Sequence, residues 1–133
     1  YASHYPRAIQ TAEILAPALG GPELVVDDDF GEHDPGPDCD GLTFDEFIER
    51  HGMPDWEAVP YSVTFPGGET VAQLHHRVAS GLQRLVRTHP GESIVVCCHG
   101  GVVNAAMLHA LRTPVSGDFE LFTANTSLTM LWR

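Results

Sequence analysis

The fold is decided by the stretch Ser93-Ile94-Val95-Val96-Cys97-Cys98-His99-Gly100-Gly101. Its first six residues carry no charge and no turn former, which predicts a buried strand that is covered on both faces. After the glycines, the apolar residues recur at helical spacing, at Val102, Val103, Ala106, Leu108 and Leu111. A strand that runs into a helix through glycines leaves free backbone N–H groups at the helix start, and these groups attract anions.

His99 stands where this predicted strand ends, and Gly100 opens the helix. A histidine at such a point supplies a charge or a hydrogen bond at near-neutral pH. The local pattern therefore predicts an anion site, with phosphate as the preferred anion and with His99 and Gly100 as its ligands. A plain strand-to-helix turn, in which the histidine is satisfied within the fold, accounts for the local pattern equally well.

Length and charge restrict the function. The chain has 133 residues, which suits a single domain with its own core, and its formal charge is −11. All seven cationic residues are arginine, because the sequence contains no lysine. A chain this acidic is not expected to bind nucleic acid or an anionic membrane without specificity. The sequence also lacks an apolar run long enough to span a bilayer.

The three cysteines, Cys39, Cys97 and Cys98, are an odd number, and two of them are adjacent in the predicted strand. Free thiols in a reducing compartment explain this pattern most simply, so a cytoplasmic location is expected. A zinc site is the weaker hypothesis. It rests only on the counts of histidine and cysteine, and no Cys-x-x-Cys spacing occurs.

Strands and helices alternate along the chain. The helices are predicted from Pro6 to about Leu19, with a kink or an early end at Pro17, from Thr43 to about Arg50, and from Thr70 to the break at Pro90. Strands are predicted at Glu23–Val26, Ser93–Cys98 and Ser127–Trp132. This order predicts one α/β domain over residues 1–133, with three layers and a largely parallel sheet. Sites in such sheets lie at the carboxyl ends of the strands, where His99 is placed.

Two further residues are suited to phosphate chemistry. Arg7 lies at the start of the first helix, where a guanidinium and backbone N–H groups together fit a phosphoryl group. Glu32 lies in the acidic loop of residues 27–41, where neighbouring carboxylates favour a protonated donor. The alternatives for these two residues are a solvated first-turn arginine and a solvated acidic loop.

Three blocks of sequence resemble the histidine phosphatase superfamily, the phosphoglycerate mutase-like family. Residues 3–13, SHYPRAIQTAE, resemble the family's Ser-x-x-x-Arg-Ala-x-Gln-Thr-Ala-Glu block. Residues 32–36, EHDPG, with DGLT at 40–43, are similar to its Glu-x-x-x-Gly followed by acidic-Gly-x-Thr. The third block runs from PGGE at 66–69 to CHGG at 98–101, and Asn125-Thr126-Ser127 resembles the closing strand. The blocks occur in the family's order and cover nearly the whole chain.

The resemblance implies a phosphoglycerate mutase-like fold and a phosphohistidine mechanism that uses no metal or other cofactor. In the family, a histidine attacks a phosphoryl group, a second histidine and two arginines bind that group, and a carboxylic acid protonates the leaving oxygen. Arg7 matches one phosphate-binding arginine, Glu32 matches the acid, and His99 matches the second histidine. The implied partner is a small phosphorylated substrate.

One hallmark of the family is not found. Its opening strand ends in Arg-His-Gly and supplies the nucleophile, but none of the strands predicted in these 133 residues ends in Arg-His-Gly; the tripeptide occurs once, at Arg50-His51-Gly52, where a predicted helix ends. The first block begins within the first few residues, so the strand and its crossover, roughly 30 or more residues, are expected upstream. His4 and His33 are not promoted to nucleophile. The domain is thus expected to be N-terminally incomplete. The chain is interpreted as part of a longer enzyme, and the alternative is a true fragment.

The short link from Glu32 to Pro66 favours a broad-specificity phosphomonoester hydrolase over a phosphoglycerate mutase-type phosphotransferase. The alternative function is a catalytically inactive phospholigand-binding pseudoenzyme, which the lack of an opening strand ending in Arg-His-Gly motivates. The identity of the substrate and the oligomeric state are not predicted.

Overall fold

Caps and apolar spacing along the chain produce its helices. In the computed structural model, which describes residues 1–53, 67–115 and 121–132, the α-helices are α1 (Pro6–Leu15), α2 (Phe44–His51), α3 (Val71–Thr88) and α4 (Gly100–Leu111). The acidic loop between α1 and α2 contains two short 3-10 turns, Asp28–Phe30 and Pro37–Cys39. Residues 54–66, between α2 and α3, lie outside the described residues.

The predicted helix boundaries follow local chemistry. Pro6 occupies the first turn of α1, and Pro17 ends α1 early, so that residues 16–19 form a 3-10 turn instead. The expectation of a shortened first helix is therefore confirmed. α2 and α3 each begin with a complete capping box, Thr43 with Glu46 and Thr70 with Gln73, as the sequence predicts.

The described core is built around α3. Leu74, Val78 and Leu85 are buried on one face of this helix, where they form a cluster with Phe30, Val102 and Ala105. α3 thus packs against α4 and against the 3-10 turn that carries Phe30. This packing fixes two segments relative to each other: the acidic loop with Glu32 and the start of α4 with His99.

Three extended segments lie side by side, with Ala2 in the middle. Parallel bridges join Ala2 to Val26 and Ala2 to Cys97. The Ala2 N–H donates to Val25 O at 2.9 Å, and the Ser3 N–H donates to Cys97 O at 3.0 Å. The direction of pairing is parallel at both bridges. The complete three-layer arrangement and the extent of the sheet stay predictions.

Two strand predictions differ from the structure. Residues 93–98 are not covered on both faces: Ile94, Val96 and Cys98 pack against the core cluster, whereas Val95 is 41% exposed. Successive side chains of an extended segment point to opposite faces, and the buried residues of α3 and α4 cover one of these faces. The predicted strand 127–132 has no ladder among the described residues, and Leu128 is 81% exposed. Alternating side chains do not make a strand unless a neighbouring backbone pairs with it.

Candidate active site

His99 ends the third extended segment and is the N-cap residue of α4, with an extended backbone. Its Nε2 lies 2.8 Å from the Oγ of Ser3, whose side chain is fully buried on the neighbouring segment. Burial lowers the pKa of His99, as does the nearby positive charge of Arg7, while the carboxylate of Glu32 acts in the opposite direction. The imidazole is therefore favoured in its neutral form, held by one hydrogen bond.

Arg7 projects from the first turn of α1 and is exposed. Its guanidinium lies over the ring of Tyr5, 4.6 Å from the centroid, which is a cation–π contact. The same tyrosine ring meets His99 edge-on at a centroid distance of 5.2 Å. Tyr5 thus lies between the two predicted phosphate ligands. Burial is the main cause that raises the pKa of the Tyr5 phenol.

Glu32 reaches the start of α4. The Gly101 N–H donates to its Oε2 at 3.2 Å, and the His33 N–H donates to its Oε1 at 2.9 Å. A Cβ on Gly101 would overlap with Oε1, so only glycine admits the carboxylate at this point. The described hydrogen bond from the helix start to Glu32 thus comes from the Gly101 N–H. Gly100, which is predicted as a phosphate ligand, stands between Gly101 and His99.

The acids that flank Glu32 have partners of their own. Asp27 and Asp29 form ion pairs with Arg84 on α3, and Asp28 lies 3.1 Å from the Nδ1 of His4. These carboxylates are expected from the sequence to act on Glu32, whereas in the structure Asp27 and Asp29 pair with Arg84, and Asp28 lies beside His4. Their effect on Glu32 stays a prediction.

Glu69, at the start of the third block, does not contact the described site residues. Its carboxylate forms an ion pair with Arg77 of α3 at 2.5 Å and accepts a hydrogen bond from the Asp34 N–H at 3.0 Å. The loop of residues 31–36 packs backbone against backbone here, since a Cβ on Gly68 would lie 2.6 Å from Asp34 O. Glu69 therefore holds the loop that carries Glu32.

The four residues predicted for the site lie in one region of the structure. Ser3, Tyr5 and Arg77, for which no role is predicted from the sequence, contact these residues or the loop that carries Glu32. Ser3 and Tyr5 lie within the same block as Arg7, but their contacts with His99 join positions that are more than 90 residues apart. A local signal that could have identified Arg77 is its charge, which is opposite to that of Glu69 eight residues earlier. His4 and His33 both have partners, Asp28 and the carbonyl of Glu69.

No group of three His, Cys, Asp or Glu side chains in the described ranges is arranged to hold a metal ion. The three cysteines are free, and burial raises the pKa of Cys98 to about 11, so its thiol stays protonated. None of the described helices is both long and apolar enough to cross a membrane.

Comparisons with known proteins identify the family of the chain. The family model of the histidine phosphatase superfamily (branch 1) matches residues 1–132, and the chain belongs to this superfamily. The predicted family is thereby confirmed, and with it a phosphoglycerate mutase-like α/β fold.

Among its curated relatives, the chain is 36% identical to "Phosphoglycerate mutase-like protein 4" of Arabidopsis thaliana over 99% of its own length and 62% of the relative's. It is 34% identical to "Uncharacterized phosphatase PhoE" of Bacillus subtilis, over 86% and 52% of the two lengths. The solved structure of "Mycobacterial hydrolase 2" superposes with a TM-score of 0.71 at 25% identity, over 86% and 52%. The chain thus spans about half to three fifths of the length of these proteins.

Proposed function

We propose that this chain belongs to a phosphomonoester hydrolase that acts through a phosphohistidine intermediate. The single observation that carries the proposal is the arrangement around the first turn of α4. His99 caps that helix, Glu32 accepts a hydrogen bond from it, and Arg7 reaches His99 through Tyr5. A titratable base and a carboxyl at the N-terminus of α4, with a cation from the first turn of α1 nearby, suit the charges of phosphoryl transfer.

In the proposed mechanism, a histidine of an upstream Arg-His-Gly segment attacks the phosphorus of the substrate. A nitrogen–phosphorus bond forms as the bond to the leaving oxygen breaks, and protonated Glu32 gives its proton to that oxygen. Arg7, His99 and the N–H of Gly100 bind the phosphoryl oxygens, whose charge grows in the transition state. Water, deprotonated by the Glu32 carboxylate, then attacks the phosphohistidine and releases inorganic phosphate, which regenerates both groups.

The test uses the full-length protein and a panel of small phosphomonoesters. We expect His99→Ala, Arg7→Ala and Glu32→Gln each to lower turnover by at least about 100-fold, the scale of losing one positioned donor or acid. His109→Ala is the matched control, because His109 is an exposed histidine near the other end of α4. A near-wild-type rate for His99→Ala, or no phosphate release from any ester, would refute the proposal.

The second candidate function is a phospholigand-binding pseudoenzyme. The position of the one Arg-His-Gly, which is Arg50-His51-Gly52 at the end of α2 and not at the end of a strand, favours it. The intact mass of the native protein and its N-terminal sequence separate the two. A mass well above the 14.5 kDa of this chain, with Arg-His-Gly upstream, supports the hydrolase. A mass equal to that of the chain supports the binding module. A cytoplasmic location is part of the proposal, and the free thiols support it.

The link of 33 residues between Glu32 and Pro66 supports a hydrolase rather than a mutase-type phosphotransferase. The proposed substrate class is small phosphorylated compounds. Phosphate release without transfer to an added alcohol or phosphoglycerate is the outcome that separates hydrolysis from transfer.

A further inference from the structure

The guanidinium of Arg77, a partly buried residue of α3, donates hydrogen bonds to the loop that carries Glu32. Nη1 donates to three carbonyl oxygens within 3.1 Å, and Nη2 donates to a fourth at 3.4 Å; these oxygens belong to Asp28, Asp29, Gly31 and Glu32. Nη2 also binds the carboxylate of Glu69 at 2.5 Å. Arginine presents five donors in a planar fork, and here they are divided between the carbonyl oxygens of residues 28–32 and the carboxylate of Glu69.

Glu69 holds the other side of the same loop. Its carboxylate accepts from the Asp34 N–H at 3.0 Å, and its own N–H donates to Asp34 O at 2.9 Å. Its carbonyl oxygen lies 2.8 Å from the Nε2 of His33. The backbone is thus anchored at Gly31 and at Asp34, immediately before and shortly after Glu32.

We infer that Arg77 and Glu69 form a positioning pair for Glu32. Among the described contacts, neither side chain touches His99 or Arg7, so the pair acts on the acid and not on the phosphate ligands. The two side chains are only 23% and 15% exposed, which makes the ion pair costly to break from one side. The inference rests on the proposed function, because it assigns a kinetic role to the position of Glu32.

This role predicts an effect that depends on the leaving group. An alkyl phosphate needs a proton on its leaving oxygen, whereas p-nitrophenolate leaves without one. A displaced Glu32 therefore slows hydrolysis of the first ester and spares the second. An arginine needed only for folding would lower both rates equally.

The experiment measures kcat and KM of the full-length protein on glycerol phosphate and on p-nitrophenyl phosphate. We expect Arg77→Met to lower kcat on glycerol phosphate by at least about 10-fold and kcat on p-nitrophenyl phosphate by less than about 2-fold. In a Glu32→Gln background, Arg77→Met is expected to cause no further loss, because the group that it positions is already gone. Equal losses on the two esters, or an undiminished loss in the Glu32→Gln background, would overturn the inference.

Arg84→Met is the matched control. Arg84 lies two helical turns further along α3, and its described ion pairs are with Asp27 and Asp29, on the side of the loop before Glu32. Any loss in Arg84→Met is expected to be equal on the two esters. Should Arg77→Met fold poorly, Arg77→Lys and Glu69→Gln are expected to show the same dependence on leaving group to a smaller degree.

Amide hydrogen exchange separates this inference from the proposed function. Exchange of the His33 and Gly101 amides, which bind the Glu32 carboxylate, is expected to be faster in Arg77→Met and unchanged in Arg84→Met. If wild-type protein hydrolyses neither ester, the proposed function fails, and the exchange rates still decide whether Arg77 holds Glu32. Unchanged exchange in Arg77→Met would refute the positioning pair itself.

Discussion

Ser3 fixes one nitrogen of the His99 ring. The Tyr5 N–H donates to Ser3 Oγ at 3.2 Å, so the hydroxyl hydrogen is available to the Nε2 of His99 at 2.8 Å. We expect the hydroxyl to donate to Nε2, because a buried hydroxyl hydrogen needs an acceptor. In the neutral imidazole the ring hydrogen then lies on Nδ1, which faces away from Ser3.

Ser3→Ala is expected to remove this preference, a bias of about 1 kcal/mol between the two tautomers. Nitrogen-15 chemical shifts of the imidazole, recorded at neutral pH, report which nitrogen carries the hydrogen. Ser80→Ala is the control, because the Ser80 hydroxyl is bound to a carbonyl within α3. A wild-type His99 with its hydrogen on Nε2 would contradict the prediction.

The two glycines that open α4 differ in what lies around them. A methyl group on Gly101 would overlap with the Glu32 carboxylate, while one on Gly100 would meet nothing closer than Thr123 Cβ at 4.0 Å. We expect Gly101→Ala to displace the Glu32 carboxylate and break its hydrogen bond to the helix start, so that this variant is less stable than Gly100→Ala by about 1 kcal/mol. Gly100→Ala is expected to leave stability unchanged or slightly higher. Urea unfolding of the two variants measures the difference, and equal midpoints would disprove it.

At the scale of elements, α3 is the helix on which the described core depends, and Gly81 sets its distance from the acidic loop. A Cβ on Gly81 would lie 2.9 Å from Asp29 Cβ and 3.0 Å from Phe30 Cζ. Glycine inside a helix is less favourable than alanine by about 1 kcal/mol, so its presence here serves this close approach.

Gly81→Ala is therefore expected to lower the free energy of unfolding by about 1 kcal/mol, because steric overlap exceeds the gain in helix propensity. Ser80→Ala, at the exposed neighbouring position, is expected to raise it by a few tenths of a kcal/mol. Thermal or urea denaturation compares the two variants. Stabilisation by Gly81→Ala would show that the loop moves away from α3 without cost.

Helices and strands differ in how far sequence predicts them. The start of α3 follows from Thr70 and Gln73, and the end of α1 follows from Pro17, because caps and breakers act within a few residues. The predicted strand 127–132 required a partner that its own residues do not specify. Which face of residues 93–98 is buried likewise depends on helices from other parts of the chain.

At the scale of the whole molecule, burial of histidine makes stability depend on pH. Burial lowers the pKa of His75 on α3 below its ordinary value of 6.5. The unfolded chain then binds a proton at a higher pH than the folded chain does. The stability that neutral His75 contributes is complete above pH 6.5 and is lost as the pH falls through the lower pKa of the folded state.

His75→Leu is therefore expected to reduce the loss of unfolding free energy between about pH 7.5 and about pH 5.5. Denaturant unfolding at the two pH values measures this loss for wild type and variant. His76→Asn, at an exposed position on the same helix, is expected to keep the wild-type pH dependence. An identical pH dependence in His75→Leu would show that His75 is hydrated in the folded protein.

The amino-acid sequence alone is enough to recognise the family and the helices, and to propose Arg7, Glu32, His99 and Gly100 as site residues. These rest on local chemistry: caps, breakers, glycines at a helix start, and residue types at fixed spacing. Only the tertiary structure decided that Ser3 holds His99, that Gly101 receives the Glu32 carboxylate, and that Arg77 anchors the loop around Glu32. Each of these contacts joins segments 45 to 96 residues apart. Such pairs meet only because α3, α4 and the central extended segment pack around one core, and no local pattern encodes that packing.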